Sequence, residues 1–266
     1  MILETANLTK NFGGLVAISN VDLSIEAGEV RGIIGPNGSG KSTLFNLISG
    51  IYKPEQGSRI VFDGVDITNQ EPHVIARQGV ARTFQLLRLF QQMTVLDNLL
   101  VGHHTHVRYG MRTALVGTMK LWDEEKRLRQ EMMELLDFIG LADYADMPSA
   151  ELSGGQRRLM ALGRAMAMRP KLLMLDEPAA GLSPPNVDNL LKTVFALKDR
   201  YGLTLVIVEH ILKVVMETCN TVTVLEHGEK IAEGPPAQIK DDHRVIEAYL
   251  GKEMDDAEVR AFLTSS

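Results

Sequence analysis

The chain has 266 residues, 45% apolar and 23% charged, with a net charge of −6 and a pI near 5.7. That length supports a substantial core in one large or two modest domains, and the acidic balance leaves no basic footprint for nucleic acid as the main partner. One cysteine, Cys219, excludes an intrachain disulfide and suits a reducing compartment, and no apolar run approaches the roughly 20 residues needed to cross a bilayer.

Met1-Ile2-Leu3-Glu4 lacks the charged-then-apolar layout of a signal peptide. Any work at a membrane is therefore expected to go through another protein. Residues 2–34 read as strands: Ile2 and Leu3, then Val16, Ile18, Val21, Leu23 and Ile25 in alternation, then Val30 to Ile34. The last of these runs into Gly35-Pro36-Asn37-Gly38-Ser39-Gly40-Lys41-Ser42-Thr43, and a helical pattern of Leu44, Phe45, Leu47 and Ile48 follows. The form G-x-x-x-x-G-K-S between strand and helix is that of a phosphate-binding loop. Three glycines let the backbone turn its N–H groups onto one anion, and the helix starting at Lys41 adds its positive dipole end there. Lys41 is placed to reach the β- and γ-phosphates, and the Ser42 hydroxyl to ligate Mg²⁺. A chance glycine-rich turn is a poor account of nine matching residues in this context, so a nucleoside triphosphate is the expected ligand.

Tyr52 to Gly57 is a turn, Ser58 to Phe62 a short strand, Pro72 to Arg77 a helix, and Val80 to Phe84 a strand ending at Gln85. From Leu86 to about Ala150 the pattern becomes helical, with Val95, Leu96, Leu99 and Leu100, then an amphipathic stretch from Trp122 through Leu128, Met132, Leu135 and Leu136 to Ile139. This is a helical insert in an α/β domain. Ser153 to Met168 is a further helix, stopped by Arg169-Pro170. Leu172 to Leu175 is an unbroken apolar run, as in a parallel strand covered on both faces. Helices at Pro184 to Tyr201 and Ile211 to Glu217 flank a strand at Leu203 to Val208. Thr221 to Glu226 and Glu229 to Ala232 form a hairpin through His227-Gly228, His243 to Leu250 is a helix, and Gly251 to Ser266 is a polar tail.

Asp176 ends the run Leu172-Leu173-Met174-Leu175, at the carboxyl edge of a buried strand, where open α/β sheets bind ligands. A carboxylate there can hold Mg²⁺ opposite Ser42, and Glu177 beside it can accept a proton from an attacking water. Alone, an Asp-Glu pair would read as strand-terminal surface residues; beside a phosphate loop it reads as a site. Ser153-Gly154-Gly155-Gln156 opens the helix with a capping box. Two successive glycines, however, cost about 1 kcal/mol each relative to alanine inside a helix, and they suit close approach of a phosphate to a helix N-terminus. This second helix end has no lysine of its own.

In order and rough spacing, the phosphate loop, Gln85, Leu152 to Gln156, Leu172 to Glu177 and His210 resemble the ATP-binding subunit of ATP-binding-cassette (ABC) transporters, over about residues 2–250. Leu152 to Gln156 is similar to that family's signature sequence. The resemblance implies a P-loop NTPase cassette with an antiparallel β subdomain and a helical subdomain. It also implies a head-to-tail dimer that holds two ATP molecules, each between the phosphate loop of one subunit and the signature helix of the other. By position, Phe12 resembles the aromatic that stacks on adenine, the alternative being a core residue at a strand end. Gln85 resembles the glutamine that senses Mg²⁺ and the attacking water, and His210 the switch histidine at the γ-phosphate; a lone strand-end histidine would otherwise read as structural.

After Pro178 the family usually has a loop ending in aspartate, whereas this chain reads Ala179-Ala180-Gly181-Leu182-Ser183-Pro184. Ser183 cannot make that aspartate's charged contacts. Asp176 to Leu182, Arg82-Thr83-Phe84-Gln85, Arg88-Leu89-Phe90 with Met93-Thr94-Val95, and Val245 to Gly251 are similar to the importer ATPases that serve branched-chain amino acids. Urea, amide and aromatic-acid importers use closely similar subunits. The resemblance therefore implies an ATPase bound from the cytoplasm to the inner membrane, with two transmembrane permease subunits, a second and preferably different ATPase subunit, and indirectly a solute-binding protein. Its parts are expected at 1–85 (first part of the ATP-binding core with the β subdomain), 86–150 (helical subdomain, extending to about 168), 169–250 (second part of the core) and 251–266 (tail). Leu86, Leu87, Leu89, Phe90 and Leu96 are expected in part to line a groove for a short permease helix. His103, His104 and His106 lack companion ligands at metal spacing and read as an exposed loop. The other readings are a non-transport ABC ATPase, an ATP-holding regulatory module and an exporter subunit.

Overall fold

The computed structural model of the protein describes residues 1–83, 89–103 and 119–250. In chain order, β1 (Leu3–Phe12) and β2 (Leu15–Ile25) lead to β3 (Val30–Ile34) and α1 (Lys41–Ile48). Next come β4 (Arg59–Phe62), β5 (Val65–Asp66), α2 (Pro72–Gln78) and β6 (Val80–Arg82), then α3 (Val95–His103), α4 (Met119–Phe138) and α5 (Gly154–Met166). The remainder is β7 (Leu172–Asp176), α6 (Pro184–Tyr201), β8 (Thr204–Val208), α7 (Leu212–Thr218), β9 (Thr221–Glu226), β10 (Glu229–Gly234), α8 (Pro236–Lys240) and α9 (His243–Leu250).

Two sheets organise these elements. The larger has six strands in the order β10-β9-β3-β8-β7-β6, parallel except for the β9–β10 hairpin. The smaller is antiparallel, in the order β2-β1-β4-β5. In β3, β7 and β8 every residue is buried, as expected of parallel strands covered on both faces. Alternation then sends neighbouring residues to opposite cores. Leu173, Leu175, Leu205 and Ile207 pack with Leu99, Met132, Met160, Val194 and Val215 of the helices. Leu172, Met174, Val206 and Val208 pack with Phe45 of α1 and with Leu3, Ile18 and Phe62 of the antiparallel sheet. Fully burying a side chain such as Phe45 stabilises by roughly 1.5–3 kcal/mol, so α1 and the loop before it rest on a rigid floor.

Register sets the site. Asp176 lies beside Val208, and Val208 beside Ile33, so the carboxyl ends of β3, β7 and β8 form one edge. Sequence periodicity predicts α6 and α9 with the bounds observed. Pro184 stands at the start of α6 and Gly202, with φ 65°, just past its end. The strand predicted over 80–84 is seen from Val80 to Arg82, and Phe84 and Gln85 lie outside the described residues. Two short elements, β5 and α8, have no counterpart in the sequence reading; two and five residues are too few to show a period.

Candidate functional site

The loop of residues 35–40 joins β3 to α1 along that edge, and all three of its glycines have positive φ: 151° at Gly35, 81° at Gly38 and 104° at Gly40. Two of them are also hemmed in. A Cβ at Gly35 would stand 2.1 Å from the Leu225 carbonyl oxygen, and one at Gly40 2.6 Å from the Ala17 carbonyl oxygen. Asn37, Gly38 and Ser42 are exposed, Pro36 and Thr43 partly so, and Ser39 is buried with no hydrogen-bond partner for its hydroxyl among the described residues. Lys41 is buried, and its Nζ donates to the Gly35 carbonyl at 2.6 Å and the Pro36 carbonyl at 2.9 Å. The ammonium is thus folded under its own loop, where a phosphate group can take over the bonds. Burial lowers its pKa, while the carboxylates of Glu177 and Asp176 pull it back up. That coupling brings together the loop and the acidic pair.

Asp176 is buried and accepts a hydrogen bond at 2.6 Å from the equally buried guanidinium of Arg82. Arg82 also donates to Asn46 Oδ1 at 2.7 Å and lies over the Phe45 ring, so it ties β6 and β7 to α1. The Asp176 oxygen in this pair is Oδ2, and the carboxylate has a second oxygen. Among the described residues no group of three or more His, Cys, Asp or Glu could hold a metal. One carboxylate and an exposed hydroxyl, with phosphates completing the set, suit Mg²⁺, which prefers oxygen donors and few protein ligands. Glu177 sits at φ 48°, a conformation uncommon for a side-chain-bearing residue. Such a backbone costs on the order of 1–3 kcal/mol and persists where neighbours hold it. Here the Glu177 N–H donates to the Val208 carbonyl at 2.9 Å.

His210 follows the end of β8 with an exposed side chain, its Nδ1 3.8 Å from Glu209 Oε2. The Ser153–Gln156 capping box is formed in both directions: Ser153 N–H donates to Gln156 Oε1 at 2.9 Å and Gln156 N–H to Ser153 Oγ at 3.4 Å. A Cβ at Gly154 would meet nothing within 4 Å, and one at Gly155 only Asn186 at 3.9 Å. Unlike the glycines of the phosphate loop, these two answer to no constraint among the described residues. They line a groove of about 460 Å³ with Gly181, Ser183, Asn186 and Asn189, and no residue of 35–43 lines it. The two helix N-termini therefore form separate surfaces of one chain. Replacing Ser153 with Ala should lower stability by about 1 kcal/mol, the usual worth of an N-cap; a urea unfolding midpoint reads this directly, and an unchanged midpoint would remove the capping role.

Phe12 is exposed rather than in the core, edge-on to Tyr52 with ring centroids 5.2 Å apart. Ser183 caps the start of α6 through its carbonyl, which accepts from Asn186 N–H at 2.9 Å, and its hydroxyl makes no cap bond. His103 is the half-buried last residue of α3 rather than part of an exposed loop, with its Nδ1 3.2 Å from the Ala167 carbonyl oxygen; His104 and His106 lie outside the described residues. No motif in the sequence assigns a role to Arg82, Arg158 or Glu209. For Glu209 a signal exists: like Asp176, it is a carboxylate directly after an unbroken apolar run that forms a parallel strand.

Residues 18–180 match the ABC transporter family, and residues 229–255 match the family described as branched-chain amino acid ATP-binding cassette transporter. The chain is 40% identical to the high-affinity branched-chain amino acid transport ATP-binding protein BraF of Pseudomonas aeruginosa, covering 94% of this chain and 98% of that protein. It is 37% identical to the corresponding protein LivG of Escherichia coli, with the same coverage. Among solved structures, a nucleotide-free ATP-binding cassette from an ABC transporter superposes with a TM-score of 0.81 at 36% identity, covering 94% of this chain and 99% of that one.

Proposed function

The chain belongs to the ABC transporter family of ATP-binding cassettes, and on that premise we propose that it powers an importer of branched-chain or closely related amino acids. The observation that carries the solute class is similarity along nearly the whole chain to transport ATPases of that name, joined by the match at residues 229–255. As a member of the family it binds and hydrolyses ATP.

In this reading, ATP lies between the phosphate loop of one subunit and Ser153, Gly154, Gly155 and Gln156 of another. The open groove at the two unconstrained glycines supports it. Phe12 faces the base. The N–H groups of residues 35–43 and the Lys41 ammonium bind the phosphates, and Lys41 stabilises the charge that builds on them during transfer. Mg²⁺, when bound, neutralises phosphate oxygens, and Ser42, Asp176 and Gln85 are the residues that would hold it. Glu177 orients the attacking water and accepts its proton. His210 contacts the γ-phosphate. Catalysis is thus mostly positioning and charge stabilisation, and opening of the dimer after hydrolysis resets the permeases.

Among the described residues no helix is long and apolar enough to cross a membrane. On its similarity to transport ATP-binding proteins we place the protein on the cytoplasmic face, against two permease subunits and beside a second ATPase subunit, with a heterodimer preferred and a solute-binding protein engaged indirectly. The helical subdomain, 86–150, carries the docking surface, and the exposed Phe90 and Val101 support that placement. Affinity purification of Glu177→Gln protein with ATP from detergent-solubilised native membranes tests the assembly. Two polytopic proteins and a second ATPase are the expected companions; ribosomal or DNA-bound proteins without a membrane subunit would overturn it.

A further inference from the structure

Glu209 is fully buried, an environment that penalises its charge and raises its pKa. A buried carboxylate is tolerated when donors converge on it. Here they are backbone N–H groups from two segments. Ala179 N–H donates to Oε1 at 2.7 Å and His210 N–H to Oε2 at 3.3 Å, and the nearby Ile211 N–H also favours the charged form. The first donor belongs to the loop after Glu177, the others to the turn that carries His210. A second bond crosses the same gap in the same direction, from Glu177 N–H to the Val208 carbonyl at 2.9 Å. Residues 177–179 and 208–211 are therefore laced together at the point where Glu177 adopts its φ of 48°.

Arg158, on the first turns of α5, extends the lacing. Its guanidinium donates to the Ala180 carbonyl oxygen and is attracted by Glu209. The loop after Glu177 is thus held on one side by Glu209 and on the other by the helix that begins at Gly154. Since the loop ends at Ser183 without a charged side chain, these two contacts fix its position by charge from within the chain.

We propose that Glu209 is a positioning residue for ATP hydrolysis, a buried splint that holds Glu177 and His210 in one geometry while Arg158 ties the same loop to the signature helix. The inference rests on the ATPase reading. It assigns Glu209 no contact with nucleotide, so it requires a loss in turnover without a matching loss in binding. Glutamine keeps the shape but replaces one acceptor oxygen with an NH₂ that opposes the converging N–H donors.

The test uses the full chain in the complex in which it is purified. For Glu209→Gln we expect kcat to fall about tenfold or more, with KM and the calorimetric ATP affinity within about twofold of the parent, the pattern of an interaction needed only in the transition state. Faster amide hydrogen exchange at residues 177–183 and 208–211 should accompany it, with the remaining protection unchanged. Arg158→Lys should give a smaller kcat loss with the same unchanged affinity. Parental kcat in Glu209→Gln, or equal losses of kcat and affinity, would overturn the splint. If Glu209→Gln fails to fold, Glu209→Asp, whose carboxylate is withdrawn by one methylene, must show the same split or the proposal falls. An inactive parent complex would instead contradict the ATPase reading, which separates the two failures.

Discussion

Replacing Glu177 with Gln is expected to lower ATP turnover by about a hundredfold or more while leaving ATP affinity within a few fold. A positioned general base typically contributes 10²- to 10⁴-fold, and the amide keeps size and hydrogen bonding but cannot take the proton from water. The backbone at φ 48° is held by main-chain bonds that the substitution does not touch, so the fold is preserved. Phosphate release under saturating ATP, with calorimetric titration of the same preparation, checks both halves. Turnover equal to that of the parent would remove Glu177 from the reaction.

Lys41→Ala should weaken nucleotide binding by roughly tenfold to a hundredfold, because hydrogen bonds to charged groups contribute about 1.5–3 kcal/mol each. Its Nζ already makes two short bonds to the Gly35 and Pro36 carbonyls. The residue therefore also braces the loop through the loop's own carbonyls. Burial of Lys41 strengthens the effect, since a charge shielded from water acts through a lower effective dielectric. Titration calorimetry with ATP reads the result, and an affinity equal to the parent's would contradict the phosphate-loop assignment.

Patterns with enough residues to show a period were legible in the sequence. The 18 residues of α6 begin at Pro184 and stop just before Gly202, and the apolar run ending at Asp176 announces a doubly covered strand before any neighbour is known. The phosphate loop is legible because its chemistry is local: the glycines, the lysine and the hydroxyl act within one turn of chain. What stayed hidden is non-local. Arg82 and Asp176 are 94 positions apart, and nothing in either neighbourhood says that they share a buried pair. Glu209 meets Ala179 across 30 positions, through a backbone N–H that every non-proline residue carries and no sequence pattern distinguishes. The glycines at 154 and 155 were legible as an anomaly in a helix, and the fold sharpens the anomaly by showing open space where their side chains would be.

Coupling of this ATPase to amino-acid import is tested by uptake of radiolabelled leucine, isoleucine and valine in cells that lack their own copy of this chain and are supplied with it or with Glu177→Gln. The parent chain is expected to restore uptake of at least one of the three, and Glu177→Gln, present at equal level, is not. Equal uptake with and without the chain would contradict the proposed solute class, and restoration by Glu177→Gln would contradict the coupling of hydrolysis to transport.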